Sequence, residues 1–576
     1  MSEKKLENTL SHSQDFEGVE EGIVTEGILD LADSLTDAGK YCYAGLCAVT
    51  LHKLNNNDWD KPFCDKCIKC IVKHLQLPKQ VMPIMELLVT GEMENSLESF
   101  LDVLKSETVL ENNLNILLQD LIAIAVQEGE YDARWRVLIR HLAELFGAPF
   151  EEMELYEITV VHCLTNDEHV PTEEEKKKSR NRERLVKAKR YALIGLATLG
   201  GGALIGVTGG LAAPAISTGL VSLMGGSAVL ASLGYGAGAA MVGTLFGAAG
   251  AGLAGYKMNK RVGEIEEFGF GQLQTQGIGN DNIASVTTPQ LDITIALSGW
   301  IKDESEEDFT RPWKCLFASR EQYYLRYESE YLLELGKAIE YIASIAISMA
   351  TQEALKYTIL SGIVSAIAWP AGLLGFASVI DNPWGVCCRR SAQVGKHLAD
   401  VLLNREHGRR PVTLIGYSLG ARVIYYCLRE MSERENCHGL ILDAYLIGAP
   451  CTGRKKRWDQ ISKVVAGKIV NAYCKTDWLL RFLYRTLSMH TVAGLQPIES
   501  SNPNLINIDL SHLVTGHGEY PDKMNLVLKE LGIRIIESES QGTLPTVQSD
   551  NTLTVPPDKP NINKSHSDSV LLQKEN

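Results

Sequence analysis

The sequence around Ser418 constrains the fold more strongly than any other stretch. Residues 410–431 read RPVTLIGYSLGARVIYYCLREM, in which a short apolar run leads into Gly-Tyr-Ser-Leu-Gly and apolar residues then recur at helical spacing. This pattern predicts a strand, a sharp turn and a helix. In such a nucleophile elbow the small residues Gly416 and Gly420, with Tyr417 before the serine, let two backbones approach and expose the Ser Oγ. An ordinary glycine-rich turn between strand and helix is the alternative interpretation.

The chain after about residue 285 alternates predicted strands and helices, as a mostly parallel sheet requires. Besides the elbow strand, strands are predicted at residues 292–297, 321–327, 440–447, 468–474 and 505–510. A helix is predicted at 331–349 and another at 391–403, the latter after a turn at Asp381-Asn382-Pro383-Trp384. We therefore expect an α/β domain over residues 285–536.

A serine nucleophile needs a base to accept its proton and an acid to orient that base. When the nucleophile follows a strand in this way, the chain order is serine, acid, histidine. Asp477 follows a predicted strand end downstream of Ser418 and is the preferred acid. Its alternative role is to cap the helix that begins at Trp478. Asp443 and Asp459 are less well placed, since one lies in a strand and the other in a helix-like stretch.

Three histidines follow Asp477 and could supply the base: His490, His512 and His517. His517 is preferred because it lies between glycines in a loop after the last predicted strand. His512 lies nearer that strand and could be a cap or a surface residue.

An oxyanion hole needs two backbone N–H groups directed at the developing negative charge. Leu419, the residue after the serine, is expected to supply one. The loop after the early strand is expected to supply the other, from Gly299 or Trp300. Trp300 could equally serve as a packing residue.

Residues 23–165 show helical periodicity with few glycines and predict an all-α domain, after a polar segment 1–22 that is expected to be disordered. Cys64, Cys67 and Cys70 recur every third residue with His74 beyond. A zinc site would require a fourth ligand brought in from elsewhere, and no second C-x-x-C follows. Thiols on one side of a helix are the preferred interpretation, and no metal or cofactor is predicted.

The composition changes sharply after a charged stretch at residues 166–190, which predicts a solvated helix or a short coiled coil. From Ala192 to Tyr256 the sequence has no charged residue and is rich in glycine and alanine. Its length and small residues favour a membrane helical hairpin over residues 191–256. Basic residues on both sides favour two crossings with both ends in the cytosol. The alternative is a glycine-rich hairpin buried in a soluble fold or lying on a membrane.

Residues 357–380 form a second apolar run, interrupted by Pro370. A single crossing here would separate Gly299 from Ser418 across the membrane, although one sheet must hold both. We therefore expect a buried, re-entrant or interfacial insertion. Beyond about residue 537 the polar, proline-rich tail to residue 576 is expected to be disordered.

The overall charge limits the classes of partner. The formal net charge is −15, which disfavours general binding to nucleic acid. The polar, acidic N-terminus does not resemble a cleaved signal peptide, and thirteen cysteines in such a chain fit a reducing compartment.

Several motifs together resemble the transmembrane and coiled-coil domain-containing protein 4 family over about residues 150–530. They are Ser298-Gly299-Trp300, Asp381-Asn382-Pro383-Trp384, Arg410-Pro411-Val412 leading into Gly416 to Arg422, Gly448-Ala449-Pro450, Asn471-Ala472-Tyr473 with Asp477-Trp478, and Gly516-His517 with Tyr520. The resemblance implies an α/β-hydrolase domain and association with membranes, but no substrate.

Two functions follow as expectations. The first is a membrane-associated serine hydrolase that cleaves an ester, with membrane lipids as partners and both folded domains facing the cytosol. The second is a membrane adaptor or trafficking protein on a hydrolase scaffold, with protein partners bound through the N-terminal helices.

Overall fold

The fold was analysed in a computed structural model of the 576-residue chain. The structure describes residues 31–55, 57–93, 96–110, 113–165, 243–247, 253, 256–257, 264–273, 289–352, 374–485 and 491–536. The predicted N-terminal and C-terminal disordered segments and the charged stretch 166–190 lie outside these ranges.

In the described part of the chain, seven strands form one sheet. They are β1 (Phe268–Gln272), β2 (Ile293–Leu297), β3 (Gln322–Tyr327), β4 (Val412–Tyr417), β5 (Ile441–Ile447), β6 (Ile469–Tyr473) and β7 (Leu505–Asp509). The spatial order is β1-β3-β2-β4-β5-β6-β7, with β1 antiparallel to β3 and every other neighbouring pair parallel. The predicted α/β class and the mostly parallel sheet are confirmed.

The pairing of β2 with β4 brings two predicted loops to one place. Leu297 at the end of β2 lies opposite Gly416 on β4, so that Gly299 is carried to the level of Ser418. Because parallel strands end at the same edge of a sheet, the segments after β6 and β7 reach this edge too.

The sheet begins before its predicted boundary at residue 285. Strand β1 was not predicted, because its sequence Phe-Gly-Phe-Gly-Gln contains two glycines, which weaken a strand pattern. It pairs with β3, from Phe268 opposite Tyr327 to Gln272 opposite Tyr323. This pairing stabilises the strand although its local β propensity is low.

Helices connect the strands of this sheet and pack against it. We number them α9 (Glu306–Thr310), α10 (Ser329–Gln352), α11 (Ala377–Leu403), α12 (Leu419–Ser432), α13 (Lys455–Ser462), α14 (Trp478–Leu483) and α15 (Met524–Glu530). Helix α11 precedes β4 and packs against α12, which follows it.

The turn predicted at Asp381 to Trp384 is wrong, because these residues lie inside α11 with Pro383 in the second turn. Tertiary contacts outweigh the local turn signal here. The Asp381 carboxylate accepts a hydrogen bond from Arg485 at 2.5 Å, and the Trp384 ring packs edge-on against Tyr484. Of the predicted apolar insertion, residues 357–373 lie outside the described ranges and 377–380 form the first turn of α11.

The N-terminal region is helical, as predicted. Its helices are α1 (Leu31–Ser34), α2 (Asp37–Leu54), α3 (Lys61–His74), α4 (Met82–Thr90), α5 (Leu97–Lys105), α6 (Ile116–Val126), α7 (Ala133–Phe146) and α8 (Phe150–Thr165). Local sequence signals explain several helix ends. Asp132 caps the start of α7 by accepting the Arg134 N–H at 2.8 Å. Gly91 ends α4 and Gly147 ends α7, each in a left-handed conformation with φ of 75° and 73°, respectively. The helices share a core of buried leucine, isoleucine and aromatic side chains.

Buried ion pairs join these helices to the sheet. Arg140 on α7 contacts Asp443 on β5 at 2.8 Å, and Arg136 contacts Asp292, just before β2, at 3.2 Å. Backbone bonds reinforce the contact, since the Tyr131 N–H donates to the Arg409 carbonyl at 2.8 Å. The helices and the sheet therefore pack as one compact unit.

The predicted membrane hairpin lies almost wholly outside the described residues and is not confirmed. Residues 243–246 form a helical turn at its C-terminal end, where Leu245 and Phe246 are fully buried in protein. The Leu245 carbonyl accepts the Arg409 N–H at 3.0 Å. None of the helices in the described ranges is both long and apolar enough to cross a bilayer.

Candidate active site

Ser418 occupies a strained turn between β4 and α12. Its backbone has φ of 52° and ψ of −123°, a region that non-glycine residues rarely adopt. A Cβ on Gly416 would lie 2.8 Å from the Gly420 carbonyl carbon, and one on Gly420 would lie 2.1 Å from the Leu297 carbonyl oxygen. Both glycines are therefore required sterically, and the local geometry is that of the predicted elbow.

Two hydrogen bonds connect the three residues that the sequence singled out. His517 Nε2 lies 2.6 Å from Ser418 Oγ, and His517 Nδ1 lies 2.6 Å from Asp477 Oδ2. In the tautomer in which the Asp477 carboxylate accepts the Nδ1–H, the Nε2 lone pair of His517 is directed at the serine hydroxyl. The three side chains have no solvent-exposed surface within the structure.

Asp477 has both of the roles considered from the sequence. While Oδ2 contacts His517, Oδ1 accepts the Leu480 N–H at 3.0 Å and caps α14. The carboxylate is thus held at two points, which fixes its orientation towards the imidazole.

The competing residues have other partners. Asp443 binds Arg140, and Asp459 accepts a hydrogen bond from Ser500 at 2.6 Å. His512 is 57 % exposed in its side chain and lies 3.7 Å from Glu530. His490 lies outside the described residues.

Gly299 packs directly against the serine. A Cβ at this position would lie 2.4 Å from the Ser418 Cβ and 2.8 Å from the Leu419 nitrogen. In the described part of the chain, neither the Leu419 N–H nor the Trp300 N–H donates a hydrogen bond to another residue. Leu419 directly follows Ser418, and the role of both N–H groups in an oxyanion hole stays a prediction.

Sequence reasoning missed the residues that hold the loop Ser298-Gly299-Trp300. The Trp313 indole N–H donates to Ser298 Oγ at 3.0 Å, and the Tyr327 hydroxyl donates to the Ser298 carbonyl at 2.8 Å. The Tyr417 hydroxyl donates to the Trp300 carbonyl at 3.2 Å. Burial raises the pKa of Tyr327 and of Tyr417 well above that of free tyrosine, so both remain protonated donors. No local pattern points to Trp313 and Tyr327, since they lie on other elements of the fold.

The cysteine group of α3 lies in the helical core, far along the chain from Ser418. Cys64 and Cys67 are buried, and burial raises the pKa of the Cys64 thiol to about 12. A metal ligand must be a thiolate, so this environment favours the interpretation of structural thiols.

A family model described as "Protein of unknown function (DUF726)" matches residues 186–534, which include β1 to β7 and the site around Ser418. The chain belongs to this family. The DUF726 match extends over more than half of the chain and includes the predicted membrane hairpin.

Relatives of the DUF726 chain support the resemblance to transmembrane and coiled-coil proteins. An uncharacterized membrane protein of Caenorhabditis elegans is 42 % identical over 87 % of this chain and 81 % of its own length. A rice protein, transmembrane and coiled-coil domain-containing protein STS1, is 38 % identical over 70 % of this chain and 61 % of its own length. The predicted family is confirmed.

A budding-yeast protein named probable lipase MIL1 is 31 % identical to this DUF726 member over 74 % of the chain, which spans 40 % of the yeast protein. No solved structure matches the chain. The relatives' names thus associate the family with membranes and, in one case, with a lipase.

Proposed function

We propose that this protein is a serine hydrolase that cleaves carboxylic esters. The observation that carries the proposal is the pair of 2.6 Å contacts from His517 to Ser418 and Asp477, at a serine held in a strained turn. If these three residues only packed in the core, they would not need hydrogen bonds in the order hydroxyl, imidazole and carboxylate.

The proposed reaction has two halves. Ser418 Oγ attacks the ester carbonyl carbon while His517 Nε2 takes its proton, and the carbonyl becomes an oxyanion that accepts hydrogen bonds from Leu419 N–H and from Gly299 or Trp300. The intermediate expels the alcohol, which receives the proton from His517, and an acyl-enzyme remains. Water then attacks the acyl-enzyme with His517 as base, releasing the acid and restoring the Ser418 hydroxyl.

We propose a lipid ester as the substrate, reached from a membrane on the cytosolic side. The names of the relatives support this class. Leu374, Phe376 and Val379, at and just before the start of α11, add support because these large apolar side chains are 39–44 % exposed. The uncharged stretch from Ala192 to Tyr256 is the proposed anchor.

Fluorophosphonate labelling tests the chemistry, because the probe forms a covalent bond with an activated serine. We expect wild-type protein in membranes to label and Ser418→Ala to remain unlabelled. Ser501→Ala removes an exposed serine that contacts Lys455 and is the matched control, which should label normally. Intact wild-type protein that never labels would contradict the proposal. If wild-type protein labels and Ser418→Ala does not, lipid profiling of cells with each variant identifies the class of ester.

A second candidate function is a membrane adaptor or trafficking protein with little or no activity. Its support is the complete burial of Ser418, Asp477 and His517. In this case Ser418→Ala would rescue cells that lack the protein, whereas deletion of residues 23–162 would not. The opposite pattern would favour the hydrolase.

A further inference from the structure

A cleft lies between the N-terminal helices and the edge of the sheet opposite Ser418. We call it the basal cleft. Its walls come from α3, from the segment joining α6 to α7, and from the loops that precede β4 and β5. Ser418 follows β4, whereas Arg405 and Arg409 precede it, so the six residues of β4 separate the two sites by roughly 20 Å. The basal cleft is therefore separate from the candidate active site.

The size of the basal cleft suits a small molecule. Its volume is about 890 Å³, within the range of ligand sites, which often form where two parts of a protein meet. One wall carries the aromatic side chains Trp59, Phe63 and Trp135. Arg134 lies over the Phe63 ring at 4.1 Å, and Lys463 lies over the Trp59 ring at 4.6 Å. The other walls are charged.

The charges within the cleft do not cancel. Each of its carboxylates has a cation: Glu128 pairs with Lys66, Glu130 with Arg405 at 2.8 Å, and Asp132 with Arg134 at 2.8 Å. Two further cations line the same space.

Lys73 and Arg409 are the two cations in excess of the three lining carboxylates. Within the described ranges Lys73 forms no ion pair, and Arg409 shares Glu130 with Arg405, which lies closer to it, at 2.8 Å against 4.0 Å. The Arg409 side chain is 49 % exposed. Asn436, held in a left-handed conformation with φ of 56°, adds an amide to the same space. The cleft thus presents two cations and one amide beside an aromatic wall.

We propose that the basal cleft binds a phosphomonoester, with the phosphate on Lys73 and Arg409 and the organic part against Trp59 and Trp135. A phosphomonoester carries nearly two negative charges at pH 7, which match the two cations, whereas a carboxylate would match one. The inference does not depend on Ser418 chemistry. The same group could come from a soluble metabolite or from the headgroup of phosphatidic acid.

Tryptophan fluorescence and calorimetry on the full-length protein provide the test. Adenosine monophosphate is the soluble probe, adenosine the neutral control, and phosphatidylcholine vesicles with and without phosphatidic acid probe the lipid source. We expect the phosphorylated probe to bind and adenosine not to. Preference for vesicles with phosphatidic acid would assign the lipid source, and preference for adenosine monophosphate the soluble one.

Variants separate the basal cleft from general surface charge. Lys73→Gln and Arg409→Gln should each weaken binding at least about tenfold, as loss of one charge-assisted hydrogen bond predicts. Lys69→Gln is the matched control, because Lys69 is an exposed lysine on the same helix outside this cleft. Ser418→Ala should bind normally whether or not the protein is a hydrolase. Absence of binding by every phosphorylated probe, or equal weakening by Lys69→Gln, would overturn the proposal.

Discussion

Gly299 and Ser418 are in such close contact that a methyl group on the glycine would lie 2.4 Å from the serine Cβ. The contact joins the loop after β2 to the turn after β4. It makes the geometry around the serine hydroxyl dependent on a residue more than a hundred positions earlier in the chain.

We therefore predict that Gly299→Ala lowers esterase activity and fluorophosphonate labelling by at least about 100-fold, because the loop must move away from Ser418 and Leu419. Gly518→Ala is the matched control, since a Cβ there meets no atom within 4 Å. Circular dichroism should show both variants folded. Normal activity of Gly299→Ala would mean that this loop does not form the oxyanion site.

Asp477 allows a test that separates catalysis from folding. Asp477→Asn can still cap α14 through its side-chain oxygen but cannot hold the Nδ1–H tautomer of His517. We expect a loss of about 10³–10⁴ in kcat with a melting temperature near that of the wild type. Asp477→Ala should lose the cap as well and about 1 kcal/mol of stability. Equal activity of Asp477→Asn and wild type would exclude the orienting role.

The choice between two histidines can be tested directly. We predict that His517→Ala abolishes labelling at Ser418, because no other base contacts the hydroxyl in the described part of the chain. His512→Ala should label at the wild-type rate, since this imidazole is mainly exposed and contacts Glu530. The labelling rate, measured over time, distinguishes the two.

Tyr327 is predicted to position the loop Ser298-Gly299-Trp300, which packs against Ser418. Tyr327→Phe removes the bond to the Ser298 carbonyl and should lower kcat about tenfold with little change in KM. Tyr323→Phe is the control, because its buried hydroxyl donates to Glu321 at 2.7 Å, away from that loop. Both variants should lose about 1 kcal/mol of stability, but the loss of kcat is expected in Tyr327→Phe alone. A matching loss of kcat in the control would refute the positioning role.

His407 should make the fold sensitive to acid. Burial lowers the pKa of His407 to about 3, with Arg405 and Arg410 contributing, whereas an unfolded histidine titrates near 6.5. The unfolded chain therefore binds the proton first, and stability that is present above about pH 6.5 is lost as the pH falls towards 3, by about 1.4 kcal/mol per pH unit. His407→Leu should reduce the difference in the free energy of unfolding between pH 7 and pH 4. An unchanged difference would show that His407 does not titrate in this way.

The sequence allowed the parallel strands and the positions of Ser418, Asp477 and His517 to be predicted, because each follows an apolar strand. Chain order and the rule that parallel strands share one edge were sufficient to bring these side chains together.

Other features depend on contacts that have no local signature. Strand β1 contains glycines that weaken its propensity, and it is stabilised by pairing with β3. Asp381 to Trp384 read as a turn, yet contacts with Arg485 and Tyr484 hold them in α11. Trp313 and Tyr327 reach Ser298 only once the sheet has formed.

The two bonds of Asp477 affect how relatives of this protein should be compared. Because one oxygen caps α14 while the other contacts His517, a descendant that lost catalysis would still be selected to keep an aspartate or asparagine here. Retention of this carboxylate is consequently weak evidence for an enzyme. The Ser418 side chain makes no capping bond to α12. Its replacement by alanine or glycine in a relative would therefore be clearer evidence that activity was lost.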